Sequence, residues 1–169
     1  MTPLLRRAAL VLSALLVVVL VAGSALTVLL IRRPLPDHGG VAEIDGLDAE
    51  VQVLRDERGV PQIFAGSDDD LFRAQGYVHA QDRFFEMDYR RHVASGRLSE
   101  LVGVNQAAQE ADAVIRTFGW RQVAEQEWQM LDPATRSYFE AYAEGVNAYL
   151  RDREASELSV EYTVLGTMT

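Results

Sequence analysis

Cysteine is absent from this sequence, which excludes a disulfide framework, a thiolate zinc site and a cysteine nucleophile together. The compartment stays open, because many exported proteins manage without disulfides. Lysine is absent too, so all 16 basic residues are arginine; no mechanism is attached to that bias. Acids are missing from Met1 to Arg33, where Arg6, Arg7, Arg32 and Arg33 carry the only side-chain charge. All 25 acids lie behind Arg33 with the other arginines, so +4 in front and −13 behind make up the formal −9. So acidic a surface repels phosphate backbones and excludes nucleic acid as a partner. The polar part is long enough to bury a modest core.

The front segment, residues 1–33, is a membrane element. Ala8 to Ile31 is apolar apart from the uncharged Ser13, Gly23, Ser24 and Thr27. As a helix it spans roughly 36 Å, enough for a hydrocarbon core about 30 Å thick. Gly23-Ser24-Ala25 offers small residues for signal cleavage, which would give a secreted protein. The apolar run continues through Leu26, Val28, Leu29, Leu30 and Ile31, longer than a usual signal core, and this favours an uncleaved single-pass anchor. The N-terminal amine and the acids after Arg33 set the N-terminus inside and the acidic part outside the cytoplasm, periplasmic or extracellular. Residues 34–50, opening with Pro34, Pro36 and Asp37-His38-Gly39-Gly40, read as a linker, with His38 a solvated loop residue.

Residues 51–169 read as α+β. Val51 to Leu54 alternates like a half-buried strand, Asp56 to Gly59 supplies turn residues, and Val60 to Ala65 resumes an apolar run with Pro61 near its start; together they predict a β-hairpin. Ser67 and Asp70 predict a capping box with aspartate in the Glu position, with Asp68 and Asp69 adding charge at a helix N-terminus. The helix runs to about Ala94, with Leu71, Ala74, Val78, Gln81, Phe85, Asp88 and His92 on one line and Gly96 at its end. Gly76 inside it costs about 1 kcal/mol relative to alanine, which predicts close backbone packing there. Further helices are expected over Leu98–Val102, Gln106–Phe118 and Trp120–Met130. Another should follow Asp132-Pro133 and bury Tyr138, Phe139, Tyr142, Val146, Tyr149 and Leu150 on one stripe. After Arg153 the chain becomes irregular, Glu161 to Leu165 suits a strand, and Gly166-Thr167-Met168-Thr169 shows no capping logic, as expected of a cut chain.

Three groupings have the residue types of a site. His79, Asp82 and Glu86 put three possible metal ligands within two helical turns, but Arg83 and Arg90 compete for them and Glu86–Arg90 is a natural i,i+4 pair. Asp88 and His92 suit a solvated ion pair, with no serine or threonine nucleophile evident beside them. Asp68-Asp69-Asp70 satisfies helix N-terminal charge preference and lacks the alternation of a calcium-binding loop. Ser67, Ser95 and Ser99 read as capping or turn residues. No catalytic, cofactor-binding or metal residue is assigned, and residue chemistry alone stops at an exported α+β segment.

The run Val53-Leu54-Arg55-Asp56-Glu57-Arg58-Gly59-Val60-Pro61-Gln62-Ile63-Phe64-Ala65 resembles the opening hairpin of the penicillin acylase family. Asp70-Leu71-Phe72-Arg73-Ala74-Gln75-Gly76-Tyr77-Val78-His79-Ala80-Gln81-Asp82-Arg83 resembles that family's first long helix. Arg90-Arg91, Gly96 to Gly103, Asp112 with Arg116 and Gly119, Ala141 to Leu150, and Glu161 to Gly166 follow in the family's order. Any one piece is weak; the ordered set, covering Val51 to Gly166, is specific. Gln62 departs from the usual histidine, and Phe84-Phe85 is a conservative aromatic variation.

The resemblance implies an N-terminal nucleophile hydrolase with an αββα core, made as one precursor that cuts itself into an α and a β chain. It implies a serine at the β-chain N-terminus whose own amine is the base, which is reasonable because an α-amine titrates near pH 8. It implies acyl amides as substrates, among them β-lactam antibiotics and N-acyl homoserine lactones. It also implies that the nucleophile, the oxyanion residues and any calcium ligands lie in the β chain or beyond the last motif seen here. This sequence is then the N-terminal part of an α chain, inactive and poorly folded without its β chain. Rival readings are a self-sufficient membrane-anchored binding module, or a scaffold or pseudoenzyme of the same family.

Overall fold

The computed structural model describes residues 3–167; Met1, Thr2, Met168 and Thr169 lie outside them. Helix α1 (Pro3–Arg32) is the apolar front segment, and Leu10–Arg32 is long and apolar enough to cross a membrane, by length and composition. An extended stretch leads into strands β1 (Gln52–Arg55) and β2 (Pro61–Phe64). These pair antiparallel with Val53 opposite Ile63 and Arg55 opposite Pro61. Both strands were expected, each one residue from its sequence-based start. Gly59 at φ 78° closes the turn, and Asp56 Oδ1 accepts from the N–H groups of Arg58 and Val60, a side-chain turn that aspartate forms readily.

Helix α2 (Asp68–Ala94) is the spine of the molecule. The reciprocal capping box does not form. Ser67 Oγ accepts from Asp70 N, but the shorter aspartate turns away, is buried, and accepts from Asp48 N at 2.9 Å. The helix is also bent: Arg83 has φ −146° and ψ 26°. The bend divides α2 into a half that packs on one helix and a half that packs on several.

The first half crosses α6 (Pro133–Leu150), which Asp132 opens by accepting from Ala134 N and Thr135 N. At the crossing two glycines face opposite backbones. A Cβ on Gly76 would lie 2.0 Å from the Tyr142 carbonyl oxygen, and one on Gly145 would lie 1.9 Å from that of Arg73. Close packing at Gly76 was expected from its cost inside a helix; its counterpart at Gly145 was not. Around the crossing Ala74, Val78, Ala80, Ala141 and Tyr149 are buried. Phe72 stacks on Tyr138 at 4.8 Å, and Tyr77 meets Tyr149 edge-on at 5.3 Å. The expected α6 stripe loses one member, for Phe139 is 55% exposed, with Trp128 edge-on to its ring.

The second half of α2 leads through Gly96 into α3 (Leu98–Val102) and α4 (Gln106–Phe118), with Gly119 at φ 69° joining α4 to α5 (Trp120–Met130). The C-terminal part corrects two expectations. Residues after Arg153 form helix α7 (Ala155–Leu158), and the expected strand at Glu161–Leu165 is helix α8 (Val160–Leu165). β-branched Val160, Thr163 and Val164 favour a strand. The caps decide otherwise: Ser159 starts the helix, and Gly166 ends it at φ 67° with its N–H on Tyr162 O. Gly166 therefore does carry capping logic. Among the described residues the molecule is mostly helical, with one two-stranded sheet.

Candidate functional site

The residues with site chemistry fall into three clusters along α2 and its neighbours. Near the middle of α2, Asp82 accepts from both Arg55 guanidinium nitrogens, each at 2.9 Å, and lies 3.2 Å from His38 Nε2. Arg55 also donates to Gln81 Oε1, and Gln81 Nε2 donates to the Asp37 carbonyl. This network fastens the hairpin and the linker to α2. His38 is therefore not simply a solvated loop residue. The supposed ligand trio is dispersed: His79 Nδ1 is 3.0 Å from Tyr142 Oη, Asp82 is committed to Arg55, and Glu86 pairs with Arg90 at 2.8 Å. Among the described residues no group of three or more histidines and carboxylates is placed to hold a metal.

The second cluster corrects the sequence reading most. Asp88 and His92 are buried, not solvated. Asp88 Oδ2 accepts from Tyr162 Oη at 2.8 Å, while Oδ1 accepts from Arg91 Nη2 at 2.6 Å and lies 3.1 Å from His92 Nδ1. That same His92 nitrogen is 2.8 Å from the Asp88 carbonyl oxygen. Phe84 and Phe85 wall the tyrosine ring at 6.3 and 5.3 Å. Burial, then the bond given to Asp88, push the Tyr162 phenol far above its ordinary value, so it remains a hydrogen-bond donor. A buried carboxylate that accepts from Tyr162 on one oxygen and Arg91 on the other is satisfied, which is what its burial requires. One signal was available in the sequence: the apolar line of α2 continues inward at Asp88 and His92.

In the third cluster Asp112, on α4, sits over the N-terminus of α3. Its oxygens accept from Leu98 N at 2.6 Å, Ser99 N at 3.0 Å and Ser99 Oγ at 2.6 Å. Burial alone would raise its pKa; the Ser99 hydroxyl, the two backbone N–H groups and Arg116 outweigh burial and hold it below the usual aspartate value. Arg116 Nε donates to the Gly96 carbonyl at 2.6 Å, and a Cβ on Gly96 would come within 2.7 Å of Arg116 Cγ. The motif residues Gly96, Arg97, Leu98, Ser99, Asp112 and Arg116 thus form one helix junction.

Among the described residues, none of these clusters pairs a serine hydroxyl with an imidazole base. A serine nucleophile needs a base within reach and a group orienting that base. Ser99 gives its hydroxyl to a carboxylate with no imidazole between them, Ser95 donates to the Arg91 carbonyl, and Ser67 caps α2. The clusters position elements.

The profile of the family described as penicillin amidase matches residues 50–169. The chain is 39% identical over 136 residues to penicillin acylase 2 proenzyme of Pseudomonas sp. strain SE83, covering 80% of this chain and 17% of that protein. It is 42% identical over 128 residues to the acyl-homoserine lactone acylase QuiP of Pseudomonas aeruginosa, covering 74% of this chain and 15% of the relative. It therefore spans under a fifth of the length of these curated relatives. A solved thermostable penicillin G acylase from Alcaligenes faecalis superposes with a TM-score of 0.63 at 32% identity, over 70% of this chain and 63% of that one. The matched residues include the hairpin, the glycine crossing and the carboxylates Asp82, Asp88 and Asp112, and the chain belongs to the penicillin amidase family.

Proposed function

We propose that this chain is the N-terminal part of an acylase precursor that hydrolyses the amide bond of N-acylated small molecules after cutting itself into two chains. The observation that carries the proposal is the match over residues 50–169 to a family whose relatives bear the names of penicillin acylases and acyl-homoserine lactone acylases. The role of this part is framework. Its clusters fix a hairpin and a set of helices, and the nucleophilic serine with its oxyanion donors belongs to the downstream β chain. Two further observations support a two-chain enzyme. The solved acylase chain is only slightly longer than this one, since 70% of one equals 63% of the other, whereas the proenzyme relative is several times longer. The hairpin also leaves Leu54, Val60 and Phe64 about half exposed, an apolar face on an isolated pair of strands that is not stable alone. Residues 34–169 without the β chain should accordingly lack a cooperative melt.

Calcium is proposed only for the complete enzyme. The described residues do not fit it: Asp70, Asp88 and Asp112 are buried and engaged with donors of this chain, and no ligand cluster forms among them. The apolar helix α1 is proposed as a single-pass anchor with the acidic part outside the cytoplasm.

The test is to express the whole precursor and assay release of the acyl group from an N-acyl homoserine lactone and from a penicillin. N-terminal sequencing of the processed chains goes with it. Amide hydrolysis with a new serine N-terminus is the expected result. A precursor that stays uncut and inactive assigns the protein to the scaffold or pseudoenzyme reading instead.

A further inference from the structure

The stretch between α1 and β1 has the prolines and glycines of a free tether, yet it is tied down along its length. At the foot of α1, Arg33 Nη2 lies 2.8 Å from Glu154 Oε2 and 3.7 Å from Glu157 Oε1, which flank and belong to α7. The Asp37 carbonyl accepts from Gln81, and His38 meets Asp82. Further on, Asp45 pairs with Arg151 at 2.7 Å, a Cβ on Gly46 would lie 3.2 Å from Arg73 Cζ, and Asp48 N donates to the buried Asp70. Pro34, Pro36, Ile44 and Leu47 are half-buried. The partners on α2 descend from Asp82 through Arg73 to Asp70 as the linker numbers rise, so the linker lies antiparallel along the first half of that helix. A flexible chain with glycines would not hold such an order without these anchors.

From this order we infer that residues 34–48 are a strap which seats the folded part on the foot of α1, with α7 turned toward the bilayer. The protein then stands at the membrane in one orientation, close to the surface, instead of roaming on a tether. Each exposed ion pair is weak by itself. The strap holds because its contacts are joined by covalent chain, so each forms at the high effective concentration set by its neighbours. The inference rests on the reading of α1 as an anchor.

This sequence holds no cysteine, and any cysteine in the β chain is first replaced by serine to give a clean background for the test. In the full-length protein in isolated cell membranes, cysteines are placed as the pair Arg33→Cys with Glu154→Cys, and separately Asp45→Cys with Arg151→Cys. All four positions are exposed, so no core packing is lost; each double variant gives up the ion pairs of its own residues, and Glu154→Cys also the cap of α7, while the other strap contacts stay. The control pair is Arg33→Cys with Glu125→Cys on α5, which pairs with Arg121 of its own helix. A short bifunctional maleimide should link both strap pairs at least about tenfold faster than the control. Equal rates for all three pairs overturn the strap. Carbonate washing of the same membranes tests the anchor separately: protein retained in the pellet supports the standing at the membrane. Protein released to the supernatant overturns that standing whatever the cross-linking rate.

Discussion

The two halves of α2 are held by opposite means. Before the bend at Arg83, two helices touch backbone to backbone through Gly76 and Gly145, with no room for a methyl group. After it, buried carboxylates make the hydrogen bonds: Asp88 on α2 receives Tyr162, and Asp112 on α4 caps α3, into which α2 leads. The first half is intolerant of added volume, the second of lost hydrogen bonds. One sequence has used dry packing and satisfied polar burial within a single 27-residue helix, and substitutions should sort by which half they strike.

The largest effect is expected at the crossing. Gly145→Ala puts a carbon 1.9 Å from the Arg73 carbonyl oxygen, which forces α2 and α6 apart. Overpacking of this kind costs about 3 kcal/mol or more, because backbone cannot rotate out of the way as a side chain can. The melting midpoint and protease resistance of the full-length protein should both fall, and Gly76→Ala should behave alike. A wild-type melt for either variant would show that the helices do not meet here, and the comparison would lose its first term.

Beyond the bend, Asp88→Ala should cost about 3 kcal/mol, since it strands the buried Tyr162 hydroxyl without its acceptor and takes from Arg91 its ion-pair partner. Tyr162→Phe removes only one donor and should cost about 1.5 kcal/mol. Groups in one network couple, so the double variant should be less damaged than the sum of the two. Additive losses in a thermal or denaturant melt would mean that Asp88 and Tyr162 do not form the contact that anchors α8.

This contrast also explains which features the sequence disclosed. The hairpin and α2 to α6 follow from periodicity and caps, and Gly76 betrayed its packing because glycine inside a helix needs a compensation. Gly145 escaped notice in Ala143-Glu144-Gly145-Val146, where the same argument applied but no partner could be named. Asp88 looked solvated because its acceptor role depends on Tyr162, 74 residues away. α8 looked like a strand because its β-branched residues outvoted Ser159 and Gly166, whose capping roles show only in the backbone. The family was legible from motif order. A catalytic site was not, and Ser67, Ser95 and Ser99 are engaged with the Asp70 N–H, the Arg91 carbonyl and Asp112.

Asp112→Asn sharpens the polar half of the comparison further. An amide at that position keeps one acceptor oxygen and turns a donor toward either the Leu98 N–H or the Ser99 N–H and hydroxyl, so the loss should be about 1 kcal/mol, the usual worth of a helix cap. The sign of its pH dependence follows from the lowered pKa. A carboxylate whose folded value lies below its unfolded one contributes stability in full above the unfolded value, and that contribution is lost as pH falls through the folded value. The gap between native protein and variant should therefore be constant near neutrality and close below the ordinary aspartate value of 3.8. Melts across that range check it; a gap that widens in acid would contradict the cap.

The smallest expected effect sets the limit of the contrast. Glu86 and Arg90 lie on the polar half of α2, but both are at least half exposed. The Arg90 guanidinium holds the Glu86 carboxyl below its ordinary value, a shift that solvent screening keeps from becoming stability. Glu86→Gln should leave the melting midpoint unchanged within error at moderate salt, although it removes a 2.8 Å ion pair from the same helix that carries Asp88. The pair matches Asp88–Tyr162 in bond length and differs from it in burial and in having a cation as the donor. If Glu86→Gln costs as much as Tyr162→Phe, burial is not what makes the second half of α2 depend on its carboxylates.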